Sequence, residues 1–556
     1  MNSLGKPTRR RFLLSASAMT GLTLVGCGGG SDARDTLVTA SSGRYQGQAE
    51  GGVVRWLGMA YAQPPVGALR FRAPQPVQPA SAIVDATAFG AAPLQTFGGN
   101  VAWIYSQPDR MDEDCLSLNV WSPDDDRERL PVIVWVHGGA FRTGATRMPL
   151  MDGTSLARRG VVVVSVNYRL GALGLLSHPD FTDPGNGTSA NWQMQDIGAA
   201  LAWVQANIAA FGGDPKQVCV VGQSGGAMHT ALLAQNPTYR GSFQKAVLLS
   251  PPALVPPAAM TMTDAAHYTE LVAQRLGTTP LGLRAVPAVD LHQAELAQNA
   301  VALPAGFTSG RSFKLAPLID GRVVLGDWSR SDWPADLPVI IQYTLDEGAF
   351  WFDLYDPLAG KVVTPPPPGT DGALAGALAG LLGAQGADPA AVGGVIAAYR
   401  AAAQAEGRPT DPGATWTDVW GDLLLRNFGT RYAARLSAAG VPVRLSTYMH
   451  AVKSPGRGVP HCADVPMLFG TYALDYYRDK VGSGAAEQQL SNEFATAIVS
   501  FARDAEPKLA SGAAWPLYQP GTPTALRWGE SGQGTGGPGT VPKQTQLQVW
   551  DSVLGF

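Results

Sequence analysis

Six short runs of nearly uninterrupted apolar residues constrain this chain more than any other feature. They are PVIVWV (131–136), VVVVSV (161–166), VCVV (218–221), KAVLLS (245–250), LPVIIQY (337–343) and VPVRLSTY (441–448). Continuous β-branched runs without polar alternation are strands covered on both faces, as in a mostly parallel sheet. Helical patterns lie between them; in IGAALAWVQANIAAF, Ile197, Leu201, Val204, Ile208 and Phe211 recur every three or four residues. Strands alternating with helices imply an α/β fold. A length of 556 residues would allow several domains, but the chain has no fixed-period repeat and no second boundary. With 45% hydrophobic and 15% charged residues it can bury one large core, expected over residues 36–556. VVTPPPPGT (362–370) reads as an irregular surface excursion, and the Ala/Gly-rich stretch 373–405 as small-residue helices.

An open parallel sheet binds its ligands beyond the carboxyl ends of its strands, so loops that directly follow strands are where chemistry is sought. In VCVVGQSGGAMHTALLA (218–234) a strand turns at once into a helix through G-Q-S-G-G. Such a turn strains the backbone at Ser224, and Gly222 and Gly226 remove side chains that would collide there. A serine hydroxyl is a weak nucleophile that needs a base, an acid to orient the base, and N–H donors for the developing oxyanion. After PVIVWV comes HGGAF (137–141), whose glycines let backbone N–H groups face a ligand; after LPVIIQY comes TLDEGAF (344–350), with Asp346 and Glu347; after VPVRLSTYMH comes GVPHCADVPMLFG (458–470), with His461. The order serine, acid, histidine is that of the α/β-hydrolases, with a mostly parallel central sheet flanked by helices.

The resemblance then becomes specific. WLGMAYAQPPVGALRFRAPQP (56–76), DEDCLSLNVWSP (112–123), VIVWVHGGAFRTG (132–144), VVVVSVNYRLGALGLLS (161–177), ALAWVQANIAAFGGDPKQV (200–218), GSFQKAVLLS (241–250), PVIIQYTLDEGAF (338–350) and WPLY (515–518) resemble the type-B carboxylesterases, the family of bacterial p-nitrobenzyl esterases and cholinesterases. The resemblance implies an α/β-hydrolase fold with long insertions forming a gorge. By position it implies Ser224 as nucleophile, Glu347 as acid, His461 as base, and Gly139, Ala140 and Gly225 as oxyanion donors. It places Ser250 and Asp464 as polar residues behind the histidine. The expected activity is hydrolysis of small-molecule carboxylic esters through an acyl-enzyme, with no metal and no organic cofactor. Amide or carbamate hydrolysis would use the same groups. A non-catalytic binding module, as in neuroligins, is disfavoured because the nucleophile and base are kept.

The chain departs from the family in informative places. The usual G-E-S-A-G reads Gly222-Gln223-Ser224-Gly225-Gly226, and the glycine usual after the histidine is Cys462. The partner of the family's first disulfide, which would pair with Cys115, is absent from GAAPLQ (90–95), and RLGTTPLGLRAV (275–286) lacks the second. Cys219 reads as a small core residue. Arg142 and Arg457 are expected at the mouth of the site, where they either pair with substrate carboxylates or point into solvent.

The N-terminus reads as a targeting segment. TRRRFLLSASAMTGLTLVGC carries Arg9 and Arg10 before a short apolar run, resembling a twin-arginine export signal. LVGC resembles a lipobox, which makes residues 1–27 a signal, Cys27 a lipidated first mature residue, and 28–35 a tether. Export across a bacterial inner membrane and anchoring in the cell envelope follow, with membrane contact only through that lipid. A net charge of −3 without a basic stripe argues against nucleic-acid binding.

Overall fold

All six apolar runs become strands of one sheet. The computed structural model describes residues 33–252, 260–309, 314–456, 458–530 and 536–554. Among these an eleven-stranded sheet runs, in spatial order, Gly536–Thr540, Thr524–Trp528, Val443–Tyr448, Val339–Thr344, Lys245–Leu249, Gly213–Gln223, Leu130–Val136, Val162–Val166, Ser117–Pro123, Val53–Ala60 and Gln48–Glu50. From Thr524–Trp528 to Val162–Val166 every neighbouring pair is parallel. Antiparallel strands close both edges. These antiparallel strands lack the continuous apolar signature; Ser117–Pro123 buries Ser122 and Asn119, whose Nδ2 donates to Ser165 Oγ of the neighbouring strand at 3.0 Å.

Both faces of the sheet are covered, as uninterrupted apolar strands require. Along Leu130–Val136, Val132, Val134 and Val136 join one hydrophobic cluster while Ile133 and Trp135 join the other. Val220 and Cys219 divide in the same way, so Cys219 is a core residue. Each such side chain contributes about 1.5–3 kcal/mol of burial, which offsets the missing disulfides; Cys115, Cys219 and Cys462 are buried free thiols. The periodic helix starts earlier than its apolar spacing indicates, at Trp192–Asn207, and Phe211 ends a following 3-10 turn.

A third apolar cluster roofs the carboxyl ends of the strands. The helix Asp371–Ala384 buries Leu374, Leu378 and Leu382, one per turn, against Val395, Tyr399 and Trp416. Pro412–Gly421 runs into a π-helical turn, Asp422–Arg426, before Asn427–Ala438. An Asp422–Arg426 ion pair of 2.8 Å holds that wide turn, with Tyr399 Oη donating to Asp422 at 3.1 Å and Arg426 donating to the Pro542 carbonyl at 2.6 Å. Among the described residues no helix is long and apolar enough to cross a membrane.

Candidate active site

Ser224 ends the strand Gly213–Gln223 with φ 52° and ψ −125°, and the helix Gly225–Gln235 begins at the next residue. This is the strained elbow that the glycines anticipated. A Cβ on Gly222 would lie 2.3 Å from the Gly226 carbonyl oxygen, and one on Gly226 would lie 2.1 Å from that of Val136. Neither position tolerates a side chain. Gly225 faces the ring of Phe141, which a Cβ would meet at 2.9 Å, so glycine there makes room for the aromatic residue of HGGAF.

The HGGAF loop carries three successive positive φ values, at Gly139 (118°), Ala140 (50°) and Phe141 (66°). It is held from outside: the Phe141 carbonyl accepts from Gln193 Nε2 at 2.7 Å and Gly171 N–H at 2.9 Å, and Tyr168 Oη donates to the His137 carbonyl at 2.6 Å. His229 in turn holds Gln193 at 3.1 Å. Among the described residues none accepts from the N–H groups of Gly139, Ala140 or Gly225. Unpaired N–H groups on a rigid loop beside a serine form a ready oxyanion site. Burial lowers His137 to about 4 and His229 to about 3, so both are neutral supports.

Glu347 and His461 meet beside this loop. His461 Nδ1 lies 2.5 Å from Glu347 Oε2, and both side chains are buried. Glu347 Oε1 accepts from Ser250 Oγ at 2.6 Å and Thr344 N–H at 2.8 Å, so both carboxylate oxygens are occupied. Burial alone would lower His461; the adjacent Cys462 and the Glu347 carboxylate outweigh it and raise the imidazole well above its ordinary value. Asp346 points elsewhere, to Lys543 Nζ at 2.9 Å and Val459 N–H at 3.0 Å. Asp464 accepts from Gln342 Nε2 at 2.6 Å, and burial pushes its carboxyl up to about 6. The structure adds the side chain of Gln223, whose Nε2 sits 3.0 Å from His461 Nε2.

Ser224, Gly225 and Ala140 line a cavity of about 320 Å³ whose other walls are Phe141, Pro252, Trp351, Leu381, Trp420, Leu424 and Leu425. Trp351 packs against the His461 ring, centroids 5.1 Å apart, and against Trp420 at 4.3 Å. The π-turn delivers Leu424 and Leu425 to this wall, a common place for such a turn. Nothing in the sequence separates these wall residues from ordinary core.

One expectation is corrected. Arg142 does not face a substrate carboxylate: its guanidinium pairs with Glu295 through two contacts of 3.1 and 2.5 Å, and Tyr268 Oη donates to the same carboxylate at 2.9 Å. Glu295 is fully buried and needs that cation. Arg457 and Cys27 lie outside the described residues.

Known proteins resemble this chain over most of its length. The model of the carboxylesterase family matches residues 34–550. Para-nitrobenzyl esterase of Bacillus subtilis (strain 168) is 32% identical over 497 residues, covering 88% of this chain and 94% of its own. Phenmedipham hydrolase of Pseudarthrobacter oxydans is 32% identical over 511 residues, covering 89% and 95%. A solved PNB esterase structure superposes with a TM-score of 0.74 at 30% identity, covering 93% of this chain and all of that one (100%). The chain belongs to the carboxylesterase family and is a carboxylic ester hydrolase on the α/β-hydrolase fold.

Proposed function

We propose that Ser224, His461 and Glu347 act as one acyl-transfer unit on neutral esters with an apolar acyl part. The observation that carries this reading is the buried 2.5 Å contact between Glu347 and His461 Nδ1, beside a cavity that Ser224 lines. Glu347 holds the proton on Nδ1, which leaves Nε2 as the base. Ser224 Oγ attacks the carbonyl carbon while its proton passes to Nε2, and the carbonyl electron pair moves onto oxygen. The N–H groups of Gly139, Ala140 and Gly225 take the resulting oxyanion. Collapse expels the alcohol, which leaves with the proton from His461. Water, deprotonated by the same nitrogen, then attacks the acyl-serine and releases the acid. Ser250 and Asp464 support the pair: the Ser250 hydroxyl donates to Glu347, and Asp464 ties the histidine loop to Gln342.

The wall of Phe141, Pro252, Trp351, Trp420, Leu424 and Leu425 supports a neutral, apolar acyl group, because a charged group would lose its hydration there without a partner. The test is a panel of chromogenic esters that varies acyl length and acyl charge separately. The expected result is a kcat/KM that rises with apolar acyl size until the cavity is filled, and falls for acyl groups with a free carboxylate. Ser224→Ala should lose turnover and stoichiometric labelling by an organophosphonate. Labelling that persists in Ser224→Ala, or equal turnover of acidic and neutral esters of one size, contradicts the reading.

We also propose that residues 1–27 direct export and that Cys27 carries a lipid anchor. Arg9, Arg10 and the LVGC sequence support this. The point of attachment suits it. Arg34 donates to Asp124 and to the Pro123 carbonyl and packs on Gly212, at the beginning of the strand Gly213–Gln223. Ser224 lies at the other end of that 11-residue strand, whose irregular first half spans only Leu130 to Val132 of its neighbour, so it is roughly 23 Å away, and an anchored enzyme would present its site away from the lipid.

A further inference from the structure

We propose that Lys480 is a positioning residue: its buried ammonium does for the loop behind His461 what the family's first disulfide would do, holding the segment Val101–Tyr105 against the oxyanion and histidine loops. The inference rests on Ser224 and His461 as the reacting pair.

That loop has no covalent closure, because Cys115 is a free thiol. Its short helix, Val101–Ile104, ends at Tyr105. The last carbonyls of a helix have no partner within it, and here they are met from the helix Asp475–Val481. Lys480 Nζ donates to the Trp103 carbonyl at 2.7 Å and lies 3.5 Å from that of Ala102. Tyr476 Oη lies 2.6 and 2.8 Å from the carbonyls of Ala102 and Tyr105. The ammonium also sits 3.7 Å from the centre of the Tyr476 ring and 3.6 Å from Asp356. Helix carbonyl ends and ring faces both attract a cation. The clamp closes through Ser454, whose N–H donates to the Lys480 carbonyl at 3.1 Å and whose hydroxyl accepts from Trp103 Nε1 at 3.2 Å.

The clamped segment packs on the supports of the reacting groups. Trp103 meets Phe350 edge to face, centroids 6.4 Å apart, and Phe350 meets the His461 ring at 5.5 Å. The Tyr105 hydroxyl faces the Gly138 backbone, in the oxyanion loop, and Cys462, beside the histidine. Trp103, Tyr105 and Lys480 are buried. An ammonium there carries a desolvation cost that an apolar chain of the same length would avoid, so stability alone does not call for a lysine.

The clamp depends on its charge. Each neighbour named here takes a proton or attracts one: two carbonyls, a carboxylate and a ring face. Burial lowers the ammonium to about 8 although Asp356 draws it up. Above that pH the lone pair of the amine must face one of these neighbours, and the clamp loses a contact. Asp356 and Tyr476 are the titratable groups facing the ammonium; Tyr476, raised to about 12 by burial, stays protonated through this range.

The experiment measures kcat and KM on a neutral chromogenic ester as pH is raised from neutrality through about 8 and beyond. Rates are counted per site titrated by an organophosphonate, so unfolded protein does not contribute. Wild-type kcat should fall severalfold along this limb; His461, needed unprotonated, titrates with the opposite sign and cannot produce the fall. Lys480→Met should lower kcat about tenfold at neutral pH, within the roughly hundredfold that a 1 Å misplacement costs, and should lack the alkaline limb. KM should hold, because among the described residues that line the cavity none belongs to the clamp. Tyr476→Phe, which removes the hydroxyl and keeps the ring, should lower kcat severalfold and keep the limb. Wild type without an alkaline limb, a limb that survives in Lys480→Met, or wild-type kcat in Tyr476→Phe overturns the proposal; if Lys480→Met does not fold, the first and third results decide it. Ser224→Ala separates the two readings: it should neither turn over nor label whatever Lys480 does, and an active Ser224→Ala enzyme would instead reject the reading of the site.

Discussion

Glu347 and Asp346 are neighbours with opposite duties, and exchanging each carboxylate for its amide separates them. The Oε1 side of Glu347 receives two donors, Ser250 Oγ at 2.6 Å and Thr344 N–H at 2.8 Å. In Glu347→Gln those donors require the amide oxygen there, which turns the NH2 group toward His461 Nδ1. A donor facing Nδ1 forces the proton onto Nε2, and the base is lost. A wrong tautomer of this kind costs on the order of 10⁴ in kcat, or about 5.5 kcal/mol of transition-state stabilisation. Asp346 instead shares Lys543 with Asp418, both at 2.9 Å. Asp346→Asn should weaken folding by about 3 kcal/mol at most, because a buried lysine loses one of two partners, while kcat of the folded enzyme holds. The assay is initial rates on a neutral chromogenic ester at saturating substrate, with melting curves of both variants. A Glu347→Gln enzyme within about a factor of ten of wild type, a loss under 1.4 kcal/mol, would refute the tautomer argument. So would a larger loss of kcat in Asp346→Asn.

Arg142→Ala strands the buried Glu295 carboxylate and should destabilise the domain by about 3–5 kcal/mol, yet leave the ratio of acidic to neutral ester turnover unchanged; a selective loss on acidic esters would restore Arg142 as a substrate group. Asp464, raised from 3.8 to about 6 by burial, binds its proton more tightly folded than unfolded. Its contribution to stability is therefore full below about pH 4 and is lost as pH rises through about 6, a change of about 3 kcal/mol; Asp464→Asn should remove that slope from denaturant titrations, and an unchanged slope would assign it elsewhere. Cys27→Ser should move the enzyme from the membrane fraction to the soluble one with kcat/KM unchanged, whereas wild type that is already soluble would indicate an ordinary cleaved signal.

Six strands of the sheet were legible because they are buried on both faces along most of their length, which leaves mostly apolar residues to choose from. The elbow and the oxyanion loop were legible for the opposite reason: at Gly222 and Gly226 a backbone approach admits no side chain at all. What stayed hidden depends on partners distant in sequence. Arg142 near the oxyanion loop reads as a free cation until the helix Ala288–Asn299 brings Glu295 to it. Leu424 and Leu425 read as core until a π-turn directs them to the cavity. The antiparallel strands were missed because they carry polar residues such as Asn119, which blur the pattern.

The precision of the site traces to strand register. Gln223 pairs with Leu249, Leu249 with Gln342 and Gln342 with Ser446, a single row across four strands at their carboxyl ends. The residues that follow this row are Ser224 and Ser250, and Glu347 comes five after Gln342. Gln342 ties the row to the histidine loop: its Nε2 donates to Asp464, its Oε1 accepts from Ser446 Oγ at 2.9 Å, and its carbonyl accepts from Ser250 N–H at 2.7 Å. A slip of one residue in any of these pairings would turn Gln342 or Gln223 to the opposite face of the sheet, into apolar packing where an amide has no partner. The apolar runs on either side of the row resist that slip. The hydrophobic pattern that makes the fold readable therefore also holds the polar contacts in register, and through them the spacing of Ser224, Glu347 and His461.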